Sequence, residues 1–390
     1  MTDATGQRVA TAHRHARRGL LLSTLFAVGA VMTSFLDTET GRWMPIHLFV
    51  VGALLSAIST VTQMLAITWS TSAPPADPMI TGQRWLLAVS AVVLVVGREA
   101  ANDFVVAAGG FCVGAALVWL VINLTGIRRR AHTDRFAPAI DAYIVAGVSG
   151  TIGIGFGVML AIGHSGGQAM ELRQAHLTLN LFGLVGIVVA GTLPFFAATQ
   201  MRTKVSSRAT PAAIRIVSSL LAIGVTVVVI ASLATVSGLA AAGYAVIGIA
   251  LLAMLRTLPV PRRRQIEWGG ARLVQLAAGL TWWIGSAFVL SVLELTEGDT
   301  GPVLVAMVIG AYAQILVASL AYLGPVLRGG GHEQLTAGFA VARSWVSLAS
   351  LNFAALGALG EARWMVVGGL AVTAADVAVR LARLVFSARR

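Results

Sequence analysis

Charge is what this chain has least of. Only 11% of its 390 residues are Asp, Glu, Lys or Arg, and Lys204 is the sole lysine. A soluble chain of that length would divide into two or three domains, with about a quarter of its residues charged. With 57% hydrophobic residues and a mean hydropathy of +0.83, that class is excluded. Cysteine is nearly absent too. Cys112 stands alone inside an apolar run, so no disulfide framework exists and the thiol reads as a packing residue. No stretch alternates apolar and polar residues with period two, which excludes a membrane barrel. The run Gly329-Gly330-Gly331 has no Gly-Lys-Ser or Gly-Lys-Thr after it, so it reads as a turn and not a phosphate cradle. A cleavable leader is not expected, because the first apolar run is long, lacks a clear cleavage site and opens a series of further runs.

What is there is apolar, in long pieces. Twelve runs approach the roughly 20 residues that cross a bilayer core as helix. They lie at about 19–36, 44–69, 83–98, 102–126, 138–163, 175–200, 211–233, 236–256, 270–294, 302–327, 338–358 and 362–386. Helix is the expected spanning form, since the backbone must satisfy its own hydrogen bonds where no water reaches. The expected fold is an all-α integral membrane protein of twelve spans.

The runs also repeat. Each block of about 130 residues holds four of them and closes on an arginine cluster: Arg128-Arg129-Arg130, Arg262-Arg263-Arg264 and Arg389-Arg390. The segments before these clusters read alike, as VAAGGFCVGAALVWLVINLTGIRRR, LAAAGYAVIGIALLAMLRTLPVPRRR and VVGGLAVTAADVAVRLARLVFSARR. The expected organisation is a basic tail at 1–18 followed by three four-helix repeats at 19–130, 131–264 and 265–390, within one membrane domain.

The net charge of +12 raises the question of a polyanionic partner. Its distribution answers it. Threading twelve spans puts Arg8, Arg14, Arg17, Arg18 and the arginines at 128–135, 202–208, 256–264 and 389–390 on one side. Asp37, Glu39, Glu171, Glu294, Glu297 and Asp299 fall on the other. That asymmetry is the positive-inside pattern. It places both termini in the cytoplasm of a cell with the chain in its plasma or inner membrane, makes the lipid bilayer the partner, and requires no nucleic acid. Gln63, Asn123, Gln314 and Asn352 are expected to cross-link helices. Asp376 and Arg380, one turn apart, are expected to pair. Trp43, Trp85, Trp268, Trp345 and Trp364 lie where interfacial aromatics anchor spans, whereas Trp282 and Trp283 sit deeper.

Histidine is the residue most open to a chemical reading. Ionisable groups within membrane spans are costly and tend to mark function. His47 opens span 2 and His176 opens span 6, matched places in the first two blocks, while the third block has none there. His164 closes span 5 on the same side. Met44 precedes His47 by three residues, and Met170 lies between His164 and His176. Imidazole ligates haem iron and copper, and thioethers favour Cu(I). In HLTLNLFGLVG, His176, Asn180 and Gly183 recur at i, i+4, i+7 and share a helix face. An imidazole, an amide and a gap would suit a planar macrocycle, although small residues on a membrane helix also serve close packing. His13, His15, His132 and His332 fall in basic segments and are expected to be solvated.

Twelve spans in three fours, with Trp43-Met44-Pro45-Ile46-His47-Leu48 on span 2 and AHLTLNLFGLVGIVVAGTLPFFAATQMR on span 6, carry a resemblance. The chain resembles the superfamily of cytochrome oxidase subunit I, and more closely its NnrS-like haem- and copper-associated membrane relatives. By position, His47 matches the family's span 2 haem ligand and His176 its span 6 metal ligand. Spans 7 and 10 contain no histidine, so the resemblance does not imply an oxygen-reducing dinuclear centre. It implies an oxidase-like scaffold with haem b, copper or both near the outer face, serving metal handling, electron transfer or a response to nitric oxide. A respiratory or copper-protein partner goes with that reading. Two others stay open: a secondary transporter, and a structural or assembly subunit with vestigial ligand sites.

Overall fold

The computed structural model describes residues 2–163, 166–329 and 331–386, and every regular element among them is helical. Twelve helices are long and apolar enough to cross a membrane. In chain order, spans 1 to 6 are Gly6–Thr33, Trp43–Ser70, Asp77–Glu99, Asp103–Arg129, Ala137–Ala161 and Ala169–Gln200. Spans 7 to 12 are Pro211–Leu233, Ser237–Leu255, Ala271–Thr296, Gly301–Arg328, His332–Leu359 and Arg363–Leu384. The chain is therefore a multi-pass membrane protein. Its surface agrees, for Ile152 is 52% exposed, Leu25 59% and Phe111 73%. Set against water, side chains of this size would each cost about 1–2 kcal/mol, a cost that lipid removes.

Helix occupies all twelve expected runs, with an interruption in the eleventh, and several ends differ. The first helix runs from Thr2 to Thr33 instead of starting near residue 19. Ala12, Ala16 and Leu20 are buried at i, i+4, i+8, so packing along one face carries the helix out through the basic tail. His15 is drawn in with it. The ring is only 6% exposed and its Nε2 lies 3.1 Å from Asp77 Oδ1, so the basic neighbourhood misled and His15 is not solvated. Span 3 is fuller than expected and starts with Pro78 in its first turn, where proline's missing N–H costs nothing. Span 11 breaks after Ala342. Arg343 is extended, and Ser344 Oγ caps the helix Trp345–Leu359 by accepting from the N–H groups of Val346 (3.1 Å) and Ser347 (3.4 Å). Helix also resumes earlier than expected, at His332, and Gly330 of the expected glycine turn lies outside the described residues.

Two compact units make up the chain: Met1–Pro194 with Ser207–Thr257, and Phe195–Ser206 with Leu258–Arg390. In the first, spans 3 and 4 form a hairpin and spans 7 and 8 another. The N–H groups of Ala100, Ala101 and Asn102 donate to the carbonyls of Val96, Arg98 and Gly97, and Ala101 is left-handed at φ 51°. Ala234, Thr235 and Val236 donate to Ile230, Ser232 and Ala231 in the same pattern, with Thr235 at φ 57°. In the second unit, spans 11 and 12 turn identically. Gly360, Glu361 and Ala362 donate to Leu356, Ala358 and Gly357, with Glu361 at φ 53°. This close satisfies the last carbonyls of the helix, and a side chain in the left-handed position costs about 1 kcal/mol.

The hairpins share more than their turns. Each left-handed residue is followed eight positions later by a glycine: Gly109, Gly243 or Gly369. A Cβ there would lie 2.6 Å from Leu94 N, 2.9 Å from Val228 N and 3.0 Å from Ala354 N respectively. Glycine is required at these three points because the helices touch backbone to backbone.

Spans 2, 6 and 10 are the most enclosed, with 56%, 89% and 67% of their most apolar windows buried. Each also widens into π-helix, at Leu48–Leu54, Leu179–Gly186 and Val308–Ala313. A Cβ on Gly52, Gly183 or Gly310 within these segments would clash with Phe26, Ser149 or Trp282, a residue of the preceding span in every case. The expected polar cross-links form within the units. Asn123 Nδ2 donates to Gln63 Oε1 at 3.1 Å, joining spans 4 and 2. Trp282 Nε1 (2.7 Å) and Gln314 Nε2 (3.3 Å) both donate to Asn352 Oδ1, tying spans 9, 10 and 11. Arg380 pairs with Asp376 at 2.8 Å.

Candidate functional site

His47 closes the first turn and a half of span 2, the short α-helical piece Trp43–His47, and the π-helical segment starts at the next residue. Its Nδ1 lies 2.9 Å from the carbonyl oxygen of Trp43. A carbonyl oxygen can only accept, so Nδ1 carries the proton and donates it. The ring stacks on the Trp43 indole, with centroids 3.7 Å apart and planes 18° from parallel. Arg98 lies over the same indole at 5.9 Å, and the neighbouring Glu99 accepts a hydrogen bond from Thr40. His47 is thus held in one tautomer and one orientation, with Nε2 as its only open nitrogen.

His176 reaches the same condition by another route. Its Nδ1 is 2.7 Å from the carbonyl oxygen of Gly153 on span 5, and it must donate there for the same reason. Span 5 has a glycine at each point of contact. A Cβ on Gly157 would lie 2.7 Å from His176 Cε1, and one on Gly153 would lie 2.6 Å from Asn180 Nδ2. Asn180 Nδ2 donates to the carbonyl of His176 at 2.7 Å. Its 3.3 Å approach to His176 Nδ1 is then a contact between two donors, secondary to those bonds. The π-helical segment follows His176 by three residues.

Neither Nε2 has a hydrogen-bond partner among the described residues. A histidine that ligates a metal through one nitrogen commonly gives its other N–H to a backbone carbonyl, which fixes ring and tautomer. Both histidines have that arrangement.

The remaining candidates divide. Met44 is buried, on the first turn of span 2 below His47. Met170 is 67% exposed at the start of span 6 and forms no part of an enclosed site. His164 lies outside the described residues. Asn180 and Gly183 do share a face with His176, and that face meets span 5. The space beside Gly183 is taken by Ser149, so the gap read as clearance for a macrocycle is filled by packing. Among the described residues, no three His, Cys, Asp or Glu side chains group closely enough to hold a metal ion.

One polar feature of the first unit has no counterpart among the residues that the sequence marks as candidates. A cavity of about 20 Å³, room for one water molecule, is lined by His15, Ser59, Gln63, Met64 and Arg84 among others. His15 Nδ1 and Arg84 Nη1 are buried there without hydrogen-bond partners among the described residues. Arg84 stands one residue inside an expected span start, and an arginine in that position was the available signal.

A scan of protein-family models returns no match to this chain, and a search of curated proteins returns none either.

Proposed function

We propose that the chain is a metal-binding integral membrane protein in which His47 and His176 offer their Nε2 atoms to copper or to a haem iron. The observation that carries the reading is the pair of locked tautomers. Two imidazoles on different spans each surrender Nδ1–H to a backbone carbonyl, at 2.9 and 2.7 Å, and keep a ligating lone pair free. The donor set fits copper better than haem. Two imidazoles with the buried Met44 thioether nearby suit Cu(I). With Ser149 beside Gly183, no slot for a porphyrin opens on the helix face that His176 shares with Asn180. Bound copper would supply one-electron chemistry or a transferable ion. The chain's own part is to hold two imidazoles in place and to cover one face of His47 with Trp43.

The architecture proposed with it is three four-helix repeats on an oxidase-like scaffold. Three hairpin turns with one hydrogen-bond pattern, three matched glycines and three π-helical segments four spans apart support it. Likeness to NnrS-type proteins remains a proposal resting on the motifs around His47 and His176. The π-helical segments also favour a second reading, a secondary transporter, since such segments in buried spans often mark ligand sites.

The test is Cu(I) competition against a chromophoric chelator, using full-length protein in detergent. The proposal expects one tight equivalent of copper, weakened at least tenfold in His47→Gln and again in His176→Gln. Binding that survives both substitutions would overturn it. Substrate accumulation in proteoliposomes, unaffected by either substitution, would favour the transporter.

A further inference from the structure

The second unit collects three arginines that no carboxylate among the described residues meets. Arg272 opens span 9 and is only 2% exposed. Its Nη2 donates to the carbonyl of Gln200 at 3.1 Å, but Nε and Nη1 are buried with no partner among the described residues. Arg202 and Arg343 both act on it electrostatically, and both are cations. Arg202 also acts on Arg343. Three like charges therefore share one neighbourhood. Among the described residues, no ion pair joins any of them to a carboxylate.

Aromatic rings hold the arginines there. Arg202 lies 3.5 Å above the Trp268 ring, and Arg343 lies 5.3 Å from the same ring. Arg272 sits 5.2 Å from Tyr322 and 5.3 Å from Phe339. Arg202 is exposed and Arg343 half-buried, so the lost hydration is chiefly that of Arg272, and cation–π contact compensates part of it while neutralising no charge and satisfying no N–H. Besides those of Arg272, the buried donors Arg343 Nε, Gln200 Nε2 and Trp268 Nε1 lack partners. Span 9 begins here as well. Its N-terminal residue Gly270 has φ 53°, no side chain caps the helix, and Arg343 Cδ would be 3.1 Å from a Cβ at Gly270. The positive end of a 26-residue helix thus adds to the same field.

We infer that Arg202, Arg272 and Arg343 form a binding site for a phosphate-class anion, either an anionic lipid headgroup or free phosphate. A multivalent oxyanion answers the clustered charge and the orphaned donors together, with the carboxamide oxygen of Gln200 left to other partners. It counters three cations, accepts from the orphaned donors, and suits the planar fork of guanidinium, which binds phosphate bidentately. The site lies wholly within the second unit, and it does not depend on any metal being bound at His47 and His176.

Thermal melting of full-length, delipidated protein in a neutral detergent tests the site. Sodium phosphate is compared with sodium chloride at matched ionic strength, and phosphatidylglycerol with phosphatidylcholine. The inference expects Tm to rise by several degrees with phosphate or with phosphatidylglycerol, beyond their controls. A rise with phosphate assigns a soluble anion, and a rise with phosphatidylglycerol alone assigns a headgroup. In Arg202→Gln and Arg343→Gln the rise should disappear. Without the anion, both variants should melt no lower than the parent, because each removes one of three repelling charges. No rise with either probe, or a rise that persists in both variants, overturns the inference. So does a loss of Tm in Arg343→Gln that is equal with and without anion, which is the mark of a purely structural arginine.

Discussion

Replacing Gly243 with alanine should loosen the hairpin of spans 7 and 8. The added methyl would stand 2.6 Å from Val228 Cγ2, 2.9 Å from Val228 N and 3.0 Å from Gly224 O. The valine methyl can rotate away. The two backbone atoms cannot, so the helices must part by a few tenths of an ångström along a seam they share. Overpacking of that kind costs about 1–3 kcal/mol. Alanine also gains about 1 kcal/mol of helix propensity over glycine, which hides part of the loss. Gly155→Ala removes that ambiguity, because a Cβ on Gly155 meets nothing within 4 Å. Propensity cancels between the two variants, leaving a difference of about 1–3 kcal/mol. Titration with sodium dodecyl sulfate, followed by loss of tryptophan fluorescence, measures it. The same ordering should hold for Gly109→Ala and Gly369→Ala. If Gly243→Ala proves as stable as Gly155→Ala, the close packing inferred for the hairpins is wrong.

Further outcomes follow from single contacts. Gly157→Ala would place a methyl 2.8 Å from His176 Nδ1 and drive the ring off the Gly153 carbonyl. Copper affinity should fall about 10–100-fold while Gly155→Ala leaves it unchanged, as the chelator competition would read. Asp376→Ala strands Arg380, whose side chain is 11% exposed, and should cost about 3 kcal/mol. The double variant with Arg380→Met should recover part of this, and a single variant as stable as the double would contradict the pairing. Gln63→Leu removes the bond from Asn123 and should cost about 1 kcal/mol in the same detergent titration, the usual scale for such links in membranes. No loss at all would make that link dispensable.

The twelve spans were legible because hydropathy over some 20 residues reports directly on the solvent, and lipid leaves the backbone few alternatives. Gln63, Asn123, Gln314 and Asn352 were legible for the same reason, since an amide in lipid must find a partner. The ends were harder. A basic tail reads as solvated, yet Ala12, Ala16 and Leu20 give it a packed face that draws His15 inside. The π-helical turns had no local sign, because they depend on which side chains meet across spans. Histidine spacing pointed to His47 and His176, but not to the carbonyls of Trp43 and Gly153 that fix their protons. Gly183 shows the limit of reading one helix alone. Its empty side chain looked like room for a ligand until Ser149 of span 5 filled it. Arg202, Arg272 and Arg343 are some 70 residues apart in the chain, and only the folded second unit brings them together.

The most direct measurement is the metal content and optical spectrum of the protein purified from copper- and haem-replete cells. The account predicts about one equivalent of copper, or a Soret band if the iron of a haem takes its place, lost when His47 and His176 are replaced together. Clean, folded protein with neither copper nor a Soret band would contradict it.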